Sequence, residues 1–251
     1  MIHLEDHGKV AVLRIDHGKA NAVDTDLFDA LADQLEQLER SAHTALVLTG
    51  NGSVFSAGVD LYKVIEGGEA YLQGFLPTLS KGVKQLFRFS KPVVAAVDGH
   101  AIAGGCVLAF ACDHRVMTSG RGKLGLTELS VGVPFPVAAM EVVRFHVADA
   151  LVQRLVYGAQ LLSPQEAHGH GLVEELAEPE EVLPKAIAAA EALGRIPGNA
   201  FAFTKHHLRD VAVDRMNAYE LNLDDEVMRV WTDPQTLAGI RAFMEATVKK
   251  G

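Results

Sequence analysis

The chain has 251 residues, 49% hydrophobic and 22% charged, which is the composition of a folded globular protein and not of a disordered or fibrous one. Its 23 Lys and Arg against 32 Asp and Glu give a net charge of −9, which argues against nucleic-acid binding and against docking on an anionic membrane. Two cysteines in an apolar stretch, no signal-peptide pattern and no apolar run of about 20 residues favour a cytoplasmic protein.

Strands and helices are predicted to alternate along the first two thirds of the chain. Alternating or continuously apolar segments predict strands over 9–16, 45–50, 92–97 and 114–118. Helical spacing of apolar residues, or glycines that open a helix, predict helices over 24–38, 71–87 and 104–112. Asp24 has the position of an N-cap for the first of these helices. The alternation is typical of an α/β domain with covered strands.

The rest of the chain, from residue 148, has mostly helical patterns. Ser163, Pro164 and Glu166 have the order of a helix start, with a cap, a proline at the first position and a glutamate at the third. A short strand is predicted over 172–176. We therefore divide the chain into a core of residues 1–195 and a helical C-terminal region, 196–251, which is the best candidate for an oligomerisation unit.

Three segments carry residue types that could perform chemistry. The small residues of 55–60 would let a ligand approach the backbone. The segment 98–106 places glycines before a helix start, where unpaired N–H groups can hold an anion or a developing oxyanion. The third, 124–129, sets Glu128 in an apolar stretch, where burial would raise its pKa towards that of a general base. Each segment alone also has an ordinary explanation, a tight backbone connection or a solvated glutamate.

Together, in this order and spacing, the segments resemble the crotonase family, also called the enoyl-CoA hydratase/isomerase superfamily. The resemblance covers nearly the whole chain, including 19–22, 55–60, 91–113, 125–132 and 162–173. It implies a ClpP-like α/β spiral of ββα units in residues 1–195, with an acyl-CoA site. It also implies that the helical tail packs subunits into a homotrimer or a hexamer built as a dimer of trimers.

The resemblance assigns roles to individual residues. The thioester carbonyl oxygen would lie between the backbone N–H groups of Val59 and Gly104, and Glu128 would be the catalytic carboxylate. Contacts with CoA or the acyl group are implied for Lys19, Ala20, Ala22, Ser56, Ala57, Asp60, Leu61, Lys63 and Phe135. Among these, Lys19 and Lys63 are candidates for the CoA phosphates. No metal and no separate cofactor is implied, because CoA enters as part of the acyl-CoA substrate.

One position departs from the hydratase pattern. Family hydratases use two glutamates, and the first lies three residues after the oxyanion glycine, where this chain has Val107. Valine cannot hold or donate a proton, whereas a single carboxylate can still move a proton between two carbons. The resemblance therefore favours the Δ3,Δ2-enoyl-CoA isomerases of fatty-acid β-oxidation, with Glu128 as the only base.

Several alternatives remain open at this stage. The nearest is a 2-enoyl-CoA hydratase with an unusual acid, and single-base hydrolases, decarboxylases and dehalogenases also exist in the family. A non-catalytic acyl-CoA binding protein is compatible with Val107 but not favoured by an intact Glu128. A serine hydrolase centred on Ser56 has little support, because Val54 stands where a nucleophile elbow needs glycine. Histidine pairs such as His168 and His170 lack an accompanying zinc ligand set.

The C-terminal tail carries one further expectation. Phe243 matches an aromatic residue that, in some relatives, completes the CoA site of a neighbouring subunit. The lysine that accompanies it there corresponds to Ala246, so only Lys249 or Lys250 could substitute.

Overall fold

The computed structural model describes residues 1–248, folded as an α/β core with a long helical C-terminal region. The strands are β1 Ile2–His7, β2 Val10–Ile15, β3 Ala45–Thr49, β4 Val54–Ser56, β5 Val93–Val97, β6 His100–Ile102, β7 His114–Thr118, β8 Leu124–Gly125, β9 Leu161–Leu162 and β10 Glu175–Ala177. The helices are α1 Thr25–Glu39, α2 Leu61–Arg88, α3 Gly104–Ala111, α4 Glu128–Val131, α5 Val137–His146, α6 Asp149–Gly158, α7 Pro164–Gly169, α8 Val182–Gly194, α9 Gly198–Thr232 and α10 Pro234–Val248.

Successive turns of the chain build two sheets. The first has six strands in the order β1-β2-β3-β5-β7-β10, and the second has four in the order β4-β6-β8-β9. From β3 to β8, each turn gives one strand to the first sheet and the next to the second, and a helix follows, as in β3-β4-α2 and β5-β6-α3. Strands β3 and β5 are buried along their whole length, as their continuously apolar sequences predict. The predicted α/β spiral of ββα units is therefore confirmed.

Local signals located most elements correctly. Asp24 caps α1 by accepting the Leu27 N–H at 2.8 Å, and Ser163 and Glu166 form a complete capping box at α7. Helix α2 begins ten residues earlier than predicted, because Asp60 caps it. Gly68 interrupts its helical dihedrals, with φ 53° and ψ −142°. The predicted strand over 172–176 is displaced towards the C-terminus, to Glu175–Ala177.

The C-terminal helices pack directly on the core. Helix α9 contacts α2 and α5, and α10 contacts α2, α4 and α9. Buried residues of both helices, including Met216, Trp231 and Ile240, belong to the same apolar cluster as α1 and α3. Residues 196–248 therefore share the hydrophobic core of the preceding region. No helix within the described range is long and apolar enough to cross a membrane.

A buried ionic cluster fastens α9 to the spiral. Asp113, which follows α3, accepts hydrogen bonds from Lys205 at 2.7 Å, from Arg209 at 2.8 Å and from the Val93 N–H at 2.8 Å. The two cationic side chains are 3% and 5% exposed. The guanidinium of Arg209 also lies 4.2 Å from the centre of the Phe87 ring. Buried charges need such partners, because an isolated ion in the interior is strongly unfavourable.

Candidate active site

Two loops of the second sheet place the amides of Val59 and Gly104 side by side. A Cβ atom built on Gly58 would lie 3.1 Å from the Gly104 nitrogen and 2.8 Å from the Ala103 Cβ. A Cβ atom built on Gly104 would lie 3.8 Å from the Val59 nitrogen. Gly58 also has φ +87°, which other residues rarely adopt. Close approach of the two loops therefore requires glycine at this position.

Backbone pairing leaves both amides free. The Val23 N–H donates to the Gly58 carbonyl at 2.8 Å, and the Asp60 N–H donates to the Val23 carbonyl at 2.9 Å, which bypasses Val59. Gly104 is the first residue of α3, where an N–H group has no partner in the helix. Within residues 1–248, neither amide donates to another protein group. Two free N–H groups, one of them at a helix N-terminus, can stabilise a developing oxyanion.

Ala103 adopts an unusual conformation immediately before this helix. Its φ of 50° and ψ of −124° are rare for a residue with a side chain. Its N–H donates to the Gly125 carbonyl at 2.8 Å, which holds the turn between β6 and α3 in place. Such strain is found where the surrounding structure fixes a backbone group for a task. Ala103 directly precedes Gly104, the first residue of α3.

Glu128, the first residue of α4, presents a buried and unpaired carboxyl oxygen. The residue as a whole is partly exposed, but its Oε2 atom is buried and has no hydrogen-bond partner within residues 1–248. Burial raises the pKa of Glu128 to about 8, although its own N–H and that of Thr127 oppose the shift. A carboxyl group with this pKa can both take and return a proton near neutral pH.

A cavity of about 670 Å³ joins these features. Nine of the twelve residues predicted from the sequence line it, namely Lys19, Ala20, Ala22, Ala57, Val59, Asp60, Leu61, Lys63 and Glu128. Gly104 is partly exposed and directly follows Ala103, which is also part of the wall. The structure therefore brings the two amides, the carboxyl group and most of the expected ligand contacts to one place.

Ser56 and Phe135 do not line this cavity, and these two expectations are corrected. Ser56 is fully buried, where its hydroxyl donates to the Asn21 carbonyl at 2.7 Å and accepts the Gly58 N–H at 3.2 Å. It therefore fixes the loop behind the wall instead of touching a ligand. Phe135 is 8% exposed and lines a second cavity, not the one that contains Glu128.

Lys63 already has two anionic partners. Its Nζ atom lies 2.7 Å from Asp24 and 2.9 Å from Asp26, and these contacts raise its pKa above the ordinary value for lysine. The same Asp24 oxygen contacts His17 at 2.7 Å. The positive charge of Lys63 is therefore largely neutralised by the two aspartates, which weakens the expectation that Lys63 binds phosphate. Lys19 is exposed and forms no ion pair within residues 1–248.

Four wall residues come from α9 and α10 of the same chain. Trp231, Phe243, Met244 and Thr247 all line the cavity. Phe243, which matches an aromatic residue that completes a neighbour's CoA site in some relatives, lines the cavity of its own chain. The Arg241 guanidinium donates to the Ile65 carbonyl at 3.3 Å, which links α10 to α2. No local signal could have indicated this, because it depends on how two helices fold back onto residues far away in sequence. Lys249 and Lys250 lie outside the described residues.

Val107, which stands where family hydratases have their first glutamate, provides no acid group to the cavity. It is 1% exposed within α3, packs in the apolar core and does not line the cavity. The other carboxylates of the wall, Asp24 and Asp60, accept backbone N–H groups as helix caps. Among residues 1–248, no group of three or more His, Cys, Asp and Glu side chains is arranged to hold a metal ion.

Comparison with known proteins decides the family. The family model described as enoyl-CoA hydratase/isomerase matches residues 5–249. The chain belongs to this family. It is 33% identical over 213 residues to a putative enoyl-CoA hydratase of Thermus thermophilus, covering 83% of each chain. It is 26% identical over 210 residues to the human mitochondrial enoyl-CoA delta isomerase 1, covering 82% of this chain and 70% of the human one.

The fold comparison agrees with this membership in the hydratase/isomerase family. The crystal structure of human mitochondrial delta3-delta2-enoyl-CoA isomerase superimposes with a TM-score of 0.95. The match covers 99% of this chain and 98% of the human one at 23% identity, which establishes a common fold. Because relatives bear both reaction names, the family alone does not select the reaction, and the choice depends on the residues of the site.

Proposed function

We propose that this member of the enoyl-CoA hydratase/isomerase family is a Δ3,Δ2-enoyl-CoA isomerase of fatty-acid metabolism. The observation that carries the proposal is the single available carboxylate. Glu128 alone, among the carboxylates that line the cavity in residues 1–248, has an oxygen that is buried and free of hydrogen bonds. Val107 removes the second acid that hydration normally shares.

The proposed mechanism moves one proton along the acyl chain. Glu128 takes a proton from C2 of a 3-enoyl-CoA, and the electron pair moves into a dienolate whose oxygen accepts the Val59 and Gly104 N–H groups. The same carboxyl group then returns the proton to C4, and the double bond becomes conjugated with the thioester. The donor pair acts where negative charge develops, and one such donor is typically worth about 10²–10³ in rate.

Substrate binding requires no separate cofactor in this proposal. CoA arrives as part of the thioester, and Lys19 is the exposed cation of the wall that would contact its phosphates. The polar residues His17 and Lys63 both contact Asp24, and the three side chains would face the CoA portion. The apolar residues near Glu128 would face the acyl portion.

A substrate panel tests the proposed reaction. We expect 3-enoyl-CoA thioesters to be converted to 2-enoyl-CoA, with at least tenfold slower hydration of 2-enoyl-CoA, because only one carboxylate is available. Absorbance of the conjugated thioester and chromatography of the products would measure the two reactions. Exclusive conversion of 2-enoyl-CoA to 3-hydroxyacyl-CoA would rule out the isomerase proposal. It would favour hydratase activity, the reaction named for the Thermus relative.

The pH dependence of kcat/KM provides a second test. Because Glu128 must be ionised to take a proton and its pKa is raised to about 8, kcat/KM should rise about tenfold per pH unit below pH 8 and then level off. Steady-state isomerisation rates from pH 5 to pH 9.5 would show this profile. A plateau that begins near pH 5 would contradict a buried Glu128 base.

We also propose that the protein assembles as a homotrimer or a dimer of trimers. Helix α9 carries several exposed apolar side chains, namely Phe203, Leu208, Val211, Tyr219 and Leu223. Exposed apolar surface of this kind commonly marks contacts between subunits. Light scattering coupled to size-exclusion chromatography would give the mass of the assembly, and a monomeric mass would refute this proposal.

A further inference from the structure

A partition formed by Val133, Pro134, Val230 and Trp231 separates the cavity that contains Glu128 from a second cavity. The second cavity, of about 560 Å³, lies between α5 and α9 and is lined mainly by apolar residues. Val133 lines the first cavity, whereas the next residue, Pro134, lines the second. On α9, Trp231 lines the first cavity and Val230 lines the second. Along both segments, consecutive residues therefore line different cavities.

Trp231 holds the two sides of this partition together. Its indole N–H donates to the Pro134 carbonyl at 3.0 Å, and the side chain is only 2% exposed. Pro134 cannot donate a backbone hydrogen bond, but its carbonyl remains a strong acceptor. A buried tryptophan is a large and rigid ring, and its single N–H normally finds a partner. The indole is thus fixed across the boundary and cannot easily move aside.

The partition begins beside the backbone of Glu128. The Val133 N–H donates to the Glu128 carbonyl at 3.1 Å, so the partition begins where the short helix α4 ends. The neighbouring wall residues Val131 and Met244 are apolar. An acyl chain with its C2 and C4 atoms at Glu128 would run along these residues and then meet the indole.

We infer that Trp231 limits the length of the acyl group and makes short-chain acyl-CoA thioesters the substrate class of this site. The inference rests on the proposed function, because it places the acyl group of a thioester beside Glu128. The second cavity is the space that a longer chain would enter if the indole were removed. Trp231 is thus a specificity-determining residue, and it takes no part in the proton transfer.

Binding of saturated acyl-CoA thioesters tests this without requiring turnover. We expect calorimetry to show that wild-type protein binds butyryl- and hexanoyl-CoA, and binds dodecanoyl- and hexadecanoyl-CoA at least tenfold more weakly. In Trp231→Ala, each methylene that becomes buried should improve affinity about fourfold. The ratio of dodecanoyl to butyryl affinity should therefore rise at least about tenfold.

Two further variants keep the test decisive. Met228→Ala, a large-to-small change on α9 at a residue that lines neither cavity, should leave the chain-length preference unchanged. If Trp231→Ala does not fold, Trp231→Leu removes the indole while it keeps an apolar side chain, and it should show the same direction of change. Circular dichroism would confirm folding of each variant.

The outcomes separate this inference from the proposed reaction. Equal affinity of wild-type protein for hexanoyl- and hexadecanoyl-CoA would overturn the role of Trp231, and so would an unchanged affinity ratio in a folded Trp231 variant. A preserved preference for short chains without any conversion of 3-enoyl-CoA would overturn the isomerase proposal and support the chain-length limit.

Discussion

Replacement of Glu128 by glutamine is expected to lower kcat for 3-enoyl-CoA isomerisation by about 10³-fold, within the range that general acid–base catalysis contributes. Glutamine keeps the volume of the side chain but cannot take a proton from C2. The Val59 and Gly104 amides remain, so thioester binding should change little. Stopped-flow or steady-state rates, together with calorimetric binding of a saturated acyl-CoA, would separate the loss of chemistry from any loss of affinity.

A matched change elsewhere controls for the loss of one carboxylate. Glu66→Gln alters an exposed residue of α2 in the same chemical way and should leave kcat unchanged. Full isomerase activity in Glu128→Gln would show that another group moves the proton. Activity lost equally in both variants would show that the effect is not specific to the buried carboxyl group.

The Glu128→Gln variant should also change how the free energy of unfolding depends on pH. The pKa of Glu128 is raised to about 8 in the folded protein, above the ordinary value of 4.5, so the folded state holds this proton more tightly. The stability that the protonated group contributes is present below pH 4.5 and is lost as pH rises to 8. Glutamine does not titrate, and this part of the decline should be absent in urea unfolding of the variant.

Replacement of Asp113 by alanine is expected to lower the free energy of unfolding by about 3–5 kcal/mol. The change leaves Lys205 and Arg209 buried without their anion, and it removes the acceptor of the Val93 N–H. Burial lowers the pKa of Lys205, and the Asp113 carboxylate opposes that shift, so the variant should favour a neutral Lys205 further. Urea unfolding followed by circular dichroism would measure the loss.

A surface ion pair provides the control for Asp113. Asp98 contacts Arg121 at 2.7 Å, but the two side chains are 29% and 46% exposed. Water screens such pairs, so Asp98→Ala should cost about 1 kcal/mol or less. Similar losses in both aspartate variants would mean that the buried cluster contributes no more than an ordinary surface contact.

The effects expected for the Glu128 and Asp113 variants concern two connected parts of the molecule, the cavity and the ionic cluster behind it. Asp113 fastens α9 beside the C-terminal end of α3, and the N-terminal end of α3 presents Gly104 to the cavity. Helix α9 in turn carries Trp231 to the cavity wall. We therefore expect that loss of the ionic cluster also weakens acyl-CoA binding, because the wall residues of α9 and α10 depend on the same packing.

Local sequence determined those features that depend on nearest neighbours along the chain. Continuously apolar segments located β3 and β5, and side chains that cap backbone N–H groups located α1 and α7. The order of glycines around Val59 and Gly104, with Glu128 further along, was sufficient to indicate the family. These signals persist in the sequence because a helix start or a close backbone approach tolerates few residue types.

Tertiary structure alone decided which side chains face the cavity. Ser56 and Phe135 lie beside predicted contacts in sequence, yet one is buried behind the wall and the other faces a different cavity. Trp231 and Phe243 reach the site only because α9 and α10 fold back onto the core. The pKa of Glu128 likewise depends on burial by distant residues. Sequence specified the two amides and one carboxylate, whereas packing between remote segments fixed their surroundings, because side-chain environment is a property of long-range contacts.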